Sequence, residues 1–225
     1  MMRFAMVALI AAFSLASCAT PSNQSAAQRA VDRSTLTVES IMSSPSGPNL
    51  EQTLKNARAV IICPRIFKAG FIFGGSGGSC VLVGRAAAGQ WSSPAFYTIG
   101  SGSVGLQAGI QDSSVMMMIM SDKALNAVIN KQFKIGADAS IAVATFGAGI
   151  GGGTTAALHA DIVTFAENRG LFAGVSLDGA IISPDDGANE AYYGKPVTAR
   201  QVVVGMQANN PGANPLRAVL ARYGG

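Results

Sequence analysis

The sequence predicts an α+β domain: N-terminal helices and one inserted helix packed on a strongly twisted, mainly antiparallel sheet that curls toward a barrel. Three observations carry this reading. Apolar residues recur at helical spacing near the start of the chain, short strand-like runs follow one another from residue 60 onward, and 27 of the 225 residues are glycine. Strands with few long helices between them pair antiparallel, because a parallel pair needs a long crossover. Glycine inside a strand weakens it unless backbones approach closely or the sheet bends. Gly100, Gly102, Gly105 and Gly109, and then Gly147, Gly149, Gly151, Gly152 and Gly153, therefore mark curl or close backbone packing. That use is preferred over flexible surface entering lipid headgroups.

Before the domain comes a segment of another kind. Arg3 supplies positive charge, Phe4 to Phe13 is an unbroken apolar run, and Leu15-Ala16-Ser17-Cys18 closes it. This is the layout of a secretory signal, too short to span a membrane. Its last four residues look like a bacterial lipobox, in which the Cys18 sulfur takes a diacylglycerol and the new amine is acylated; several chains together give stable anchoring. The alternative is an ordinary signal with an incidental cysteine. Residues 1–17 are thus expected as signal, 18–24 as a polar tether containing Thr20-Pro21-Ser22, and 25–225 as a single domain. The expected placement is lipid-anchored and facing the periplasm. Ala19 rather than Asp after the cysteine favours the outer membrane, on a rule best suited to enteric bacteria.

Within the domain, Ala27, Ala30 or Val31, Val38, Ile41 and Met42 give a helix over 25–43, with Arg29, Asp32, Arg33 and Glu39 on its other face. Ser44-Pro45-Ser46-Gly47-Pro48 breaks it, and Asn49 caps a short helix through Leu50, Leu54 and Ala57. A strand at 60–63 ends at Pro64. Runs 70–73 and 80–83 flank Gly74-Gly75-Ser76-Gly77-Gly78, which reads as a hairpin with a glycine loop. Further strands are expected at 95–100, 103–110, 114–120, 139–147, 159–165 and 172–182. Between them a helix at 122–131, capped by Ser121 or Asp122, buries Leu125, Val128 and Ile129. Helical pieces near 187–193, 198–204 and 214–222 close the chain after the turn Pro184-Asp185-Asp186-Gly187.

Several chemistries are excluded. Gly100, Gly102 and Gly105 match a dinucleotide-binding spacing, but the next strand starts too soon for the crossover helix that fold requires. His159 is the lone histidine, so neither a histidine metal cluster nor a Ser-His-Asp arrangement is signalled. Asp185, Asp186 and Glu190 are turn chemistry before they are a cation site. Met116 to Met120 reads as a strand buried on both faces. No enzyme, cofactor or metal is expected. Without the signal, 15 basic stand against 12 acidic residues, too small an excess to indicate nucleic acid. The distribution says more. Between Glu51 and Asp112 there is no acid, while Lys55, Arg58, Arg65, Lys68 and Arg85 all fall there. Either these cations meet an anionic membrane surface or their counter-charges come from other segments.

Residues 55–205 also carry a family resemblance. Ala57-Arg58-Ala59-Val60-Ile61-Ile62-Cys63-Pro64, Lys68-Ala69-Gly70-Phe71 and Gly74-Gly75 resemble the opening of a SYLF domain. Trp91-Ser92-Ser93-Pro94-Ala95-Phe96-Tyr97, Gly105-Leu106-Gln107-Ala108-Gly109 and Phe133-Lys134-Ile135-Gly136-Ala137-Asp138-Ala139 fit its middle. Ala173-Gly174-Val175-Ser176-Leu177-Asp178-Gly179 and Tyr192-Tyr193-Gly194 fit its end. The resemblance implies a non-enzymatic module that binds membrane phospholipids: eukaryotic members bind phosphoinositides, and some bind and bundle actin. Actin is not an expected partner of a periplasm-facing lipoprotein. The alternative is a structural or adaptor protein that binds another envelope protein and uses Cys18 only as an anchor.

Two expectations about sites follow. Arg65 and Lys68, in a short connection after Pro64, form the lipid site; Lys55, Arg58 and Arg85 extend it, and Phe67 sits exposed at headgroup level or else in the core. With Cys18 lipidated, Cys63 and Cys80 are the remaining thiols, and an oxidising compartment favours a disulfide between them. Two buried, unbonded cysteines are nearly as good a reading.

Overall fold

A computed structural model describes the chain from residue 23 onward, apart from 46, 72, 87, 105–108, 131, 137–142, 148–159, 171–176 and 178. Cys18, His159 and the glycines at 105, 149 and 151–153 lie outside the described residues.

The N-terminal helix α1 (Asn23–Met42) buries Ala27, Val31, Val38, Ile41 and Met42 along one stripe, as its spacing requires. The second helix, α2 (Gly47–Asn56), starts two residues before Asn49, which therefore lies inside its first turn and does not cap it. Gly47 is needed at this corner, because a Cβ there would collide with the Met42 carbonyl.

Strands β1 (Ala59–Gly70), β2 (Phe73–Gly84), β3 (Ala95–Val104), β4 (Gly109–Ile119), β5 (Phe133–Lys134), β6 (Val143–Gly147), β7 (Ile162–Gly170) and β8 (Ile181–Pro184) form one sheet in the order β5-β8-β3-β2-β1-β4-β7-β6. Among the described strands, seven pair antiparallel and β6 joins parallel, beside β7. The sheet curls into a half-barrel, and among the described residues its edge strands β5 and β6 do not pair with each other.

Four boundaries differ from the sequence reading. Pro64 does not end β1: the strand continues through a bulge between Ile62 and Arg65 to Gly70. Proline is tolerated there because a bulge residue owes no N–H to the ladder. Gly74 to Gly78 is not a loop but the outer half of β2, paired with β1 on one side and β3 on the other; the chain reverses between Gly70 and Phe73. Of the strand expected at 103–110, residues 103 and 104 end β3 and residues 109 and 110 start β4, while 105–108 lie outside the described residues. Of the strand expected at 172–182, residues 172–176 and 178 lie outside the described residues. Ala180 N donates to Leu177 O at 2.9 Å in a turn, and only Ile181 and Ile182 are strand, at the start of β8. Gly100 and Gly102 lie in β3, paired with Gly77 and Gly75, and open no helix.

Alternation along β1, β2 and β4 buries both faces of the inner half-sheet. Ile61, Cys63, Leu82, Val115, Met117 and Ile119 face one core; Val60, Ile62, Val81, Val83, Met116 and Met118 face the other. The methionine run is a doubly buried strand, as expected. The first core is covered by α3 (Asp122–Asn130) and by α5 (Ala199–Val203). Ser121 caps α3, its hydroxyl accepting from Ala124 N at 3.2 Å. Ala124, Val128 and Ile129 are buried, whereas Leu125 is only half-buried. The second core lies under α1, α2, α4 (Asp186–Tyr193) and α6 (Asn214–Gly224). Asp185 is the cap of α4, accepting from Ala188 N at 2.9 Å, and the described residues hold no cluster of three potential metal ligands. Fully buried Asn189 of α4 stands in for a neighbouring strand at Phe96, accepting from its N–H at 2.9 Å.

Candidate functional site

The bulge in β1 decides which side chains meet. Ile62 pairs with Val81, but the next partner pair is Arg65 with Ser79, so one extra residue is taken up and the alternation flips. After the bulge Arg65, Phe67 and Ala69 share the face of α1, while Ile66 stays in the opposite core. The bulged backbone needs Gly78 across the ladder, since any Cβ there would strike the Arg65 carbonyl. Cys63 and Cys80 are joined by a disulfide beside the same bulge, with Cα atoms 4.1 Å apart.

Helix α1 crosses the sheet at the level of Pro64, and the strands run on past it. The outcome is an open trough. Its wall is the α1 stripe Arg29, Arg33, Leu36 and Ser40; its floor is the outer sheet, with Phe67 of β1 beside Gly77 and Gly78 of β2. The part between Arg29, Arg33, Arg65 and Phe67 has a volume of about 580 Å³. Arg65 holds Asp112 of β4 bidentately, Nε donating at 2.7 Å and Nη2 at 3.0 Å. This pairing pushes the Arg65 guanidinium up and the Asp112 carboxyl down from their ordinary pKa values. The guanidinium also lies over the Phe67 ring, 5.6 Å from its centroid. Among the described residues, Arg29 has Ser25 as its hydrogen-bond partner, at 3.2 Å, and neither it nor Arg33 makes an ion pair. Glu167, with Ser40 donating to it at 3.2 Å, closes the far end.

The expected site is therefore partly assembled and partly dispersed. Arg65 and Phe67 meet in the trough, and Phe67 is exposed. Lys68 lies in β1, not in a connection, and alternation turns it to the opposite face. Arg58 precedes β1, seven residues before Arg65 and so about 20 Å away along the strand; it faces Asp122 at 3.6 Å. Lys55 pairs with Glu51 one turn earlier in α2, at 2.7 Å. Arg85 is a structural pin: it donates to Lys55 O at 2.7 Å and Gly224 O at 2.6 Å and stacks on Trp91 at 4.5 Å. Burial pushes its pKa down. The acid-free interval thus draws counter-charges for Arg58 and Arg65 from Asp122 and Asp112 further along the chain, and its five cations do not form one patch. Arg29 and Arg33 were missed as site residues. Their spacing of four marks one helix face, but sequence assigns that face to solvent until a sheet is known to extend beneath it.

Residues 100–223 match the family described as "Ysc84: Las17-binding protein actin regulator". The chain is 33% identical over 170 residues to the SH3 domain-containing protein PJ696.02 of Schizosaccharomyces pombe, covering 74% of this chain and 39% of that protein. It is 29% identical to Protein YSC84 of Saccharomyces cerevisiae, covering 74% and 36%. It is 28% identical to the human SH3 domain-containing YSC84-like protein 1, covering 70% and 46%. The match thus spans less than half the length of these relatives. Two of the three are named for an SH3 domain. Since the family description names an actin regulator, the expectation that actin has no part finds no support there. The match over more than half of the chain places it: this protein belongs to the Ysc84, or SYLF-domain, family.

Proposed function

We propose that this protein is a non-enzymatic envelope lipoprotein whose domain binds anionic phospholipid headgroups in the trough between α1 and the outer sheet. The observation that carries the proposal is the convergence of Arg29, Arg33 and Arg65 beside exposed Phe67 over a glycine floor. Arginine presents a planar fork of donors suited to phosphate oxygens. Arg29 and Arg33 carry their charge without an acidic partner among the described residues. Anchoring through Cys18, facing the periplasm at the outer membrane, would make contact with that membrane effectively intramolecular.

The test uses purified Cys18→Ser protein sedimented with vesicles of phosphatidylglycerol and phosphatidylethanolamine, or of phosphatidylcholine alone. Each basic group near an anionic surface contributes about 1 kcal/mol, so Arg29→Gln with Arg33→Gln lowers affinity about thirtyfold. Both side chains are exposed and make no ion pair among the described residues, so the fold is expected to be unaffected. Arg58→Gln, at the other end of β1, changes nothing. Equal pelleting of the parent and the double variant at low salt would place the headgroup site elsewhere. A second reading rests on the relatives' family description, which names binding to Las17: a protein-docking adaptor for which lipid is only the anchor. Failure of the parent to pellet with either vesicle favours that reading.

A further inference from the structure

Beyond the trough, the same sheet face ends in bare hydrocarbon. Phe73 at the start of β2 is 75% exposed, Phe71 in the reversal 69%, and Ile110 of β4 63%. Pairing of Ala69 with both Gly75 and Ile110 puts Ile110 on the face of Phe67, and alternation along β2 from Gly77 through Gly75 puts Phe73 there too. Phe73 itself pairs with Val104 of β3, and the next two rows on that face are glycine: Gly75 and Gly77 of β2, opposite Gly102 and Gly100 of β3. No side chain of β2 or β3 in those rows shields the aromatic rings. Apolar groups that project from the end of a hairpin, with arginines set back behind them, follow the order of a bilayer surface: hydrocarbon first, anionic headgroups next.

We infer that the β1–β2 hairpin end, through Phe71 and Phe73 with Ile110 beside them, inserts into the acyl region of an anionic bilayer while Arg29, Arg33 and Arg65 take its phosphates. This rests on the lipid reading of the trough and adds to it a depth and an orientation. The occupant is a membrane and not a soluble headgroup. A soluble headgroup needs only the arginines, whereas three exposed apolar side chains at the hairpin end gain nothing from it. The distance fits an oblique approach. Arg65 lies about six residues behind the Phe73 row, about 20 Å along the strand, so the shared face must tilt toward the bilayer for tip and arginines to engage together. Aromatic rings at that boundary are the side chains best suited to anchor it.

The experiment inserts a reporter. Phe73→Trp adds an exposed indole to a protein whose native Trp91 is 2% exposed and lies in the core under the helices. The Cys18→Ser form of this variant is mixed with phosphatidylglycerol and phosphatidylethanolamine vesicles carrying acyl-brominated chains. The expected result is a blue shift and quenching of the emission from position 73, with Trp91 emission in the parent unchanged. In parallel, Phe71→Ser and Phe73→Ser each weaken binding about tenfold. That loss persists at high salt, where the contribution of the arginines is screened. If the parent pellets with anionic vesicles while Trp at 73 stays unquenched and the serine variants bind as the parent does, insertion is overturned and the headgroup reading stands. If the parent pellets with no vesicle, the headgroup reading fails first and insertion with it.

Discussion

Reducing the Cys63–Cys80 bond tests how the bulge is held. The bond links residues 17 apart on neighbouring strands. In the chain-entropy picture, opening a loop of that size returns about 3 kcal/mol of freedom to the unfolded chain. Both cysteines are fully buried, in the core beneath α3 and α5, so reduction leaves the two thiols packed where they are and isolates this contribution. Cys63→Ala with Cys80→Ala removes the sulfurs as well, and the small voids add about 1–2 kcal/mol. For a domain of this size, 3 kcal/mol corresponds to a fall in Tm of about 6–12 °C. The urea midpoint drops by about 1 M. The assay is urea denaturation followed by far-UV circular dichroism on oxidised protein, on protein held in reductant, and on the double variant, with thiol titration confirming each state. The ladder pairs β1 with β2 on both sides of the bulge, so the native spectrum of the reduced form should match that of the oxidised form. Coincident curves for oxidised and reduced protein would refute the reasoning.

The other expectations concern the glycine carpet and the buried phenols. Gly78→Ala forces a Cβ against the Arg65 carbonyl and should cost about 1–3 kcal/mol in urea denaturation, whereas Gly102→Ala meets nothing within 4 Å and should be neutral or slightly stabilising. Equal effects from the two would show that the bulge does not need its glycine. Burial raises the pKa values of Tyr97, Tyr192 and Tyr193, that of Tyr192 to about 12. Folded values above the unfolded one near 10 mean that this stabilisation is complete below about pH 10 and is lost as pH rises through the folded values. Urea midpoints should therefore fall from pH 10 upward; midpoints flat to pH 12 would contradict it.

The sequence disclosed most where one rule acted alone. The apolar stripe of α1 and the uninterrupted Met116–Met120 run could each satisfy only one burial pattern; the stripe is found as read, and so is the run through Ile119, with Met120 half-buried just past the strand. It disclosed least where two rules competed. Pro64 reads as a stop because proline cannot donate to a ladder, yet a bulge needs a residue that does not donate. Gly74 to Gly78 reads as a loop because glycine has weak strand propensity; ladders on both sides override a propensity worth under 1 kcal/mol per residue. These two misreadings together displaced the candidate site. With β1 cut short, Arg65 and Lys68 fall in one connection and act as neighbours. With β1 continued, alternation separates them and joins Arg65 to Phe67.

The placement of Arg29 and Arg33 follows from the same bulge by a longer route. Without the extra residue in β1, Arg65 would point into the core under α3 and α5, where its charge would have no water. The single-residue shift brings it out beneath α1, and the glycine facing it lets the two backbones approach. Helix α1 is 20 residues long and lies across strands of 10 to 12 residues, so it covers their inner half and leaves the outer half open. Helix-surface arginines that would otherwise meet only water then overlook an apolar sheet face. The trough is thus a consequence of strand length as much as of residue type. A homologous sheet that ended at the bulge would keep the same helix and lose the site.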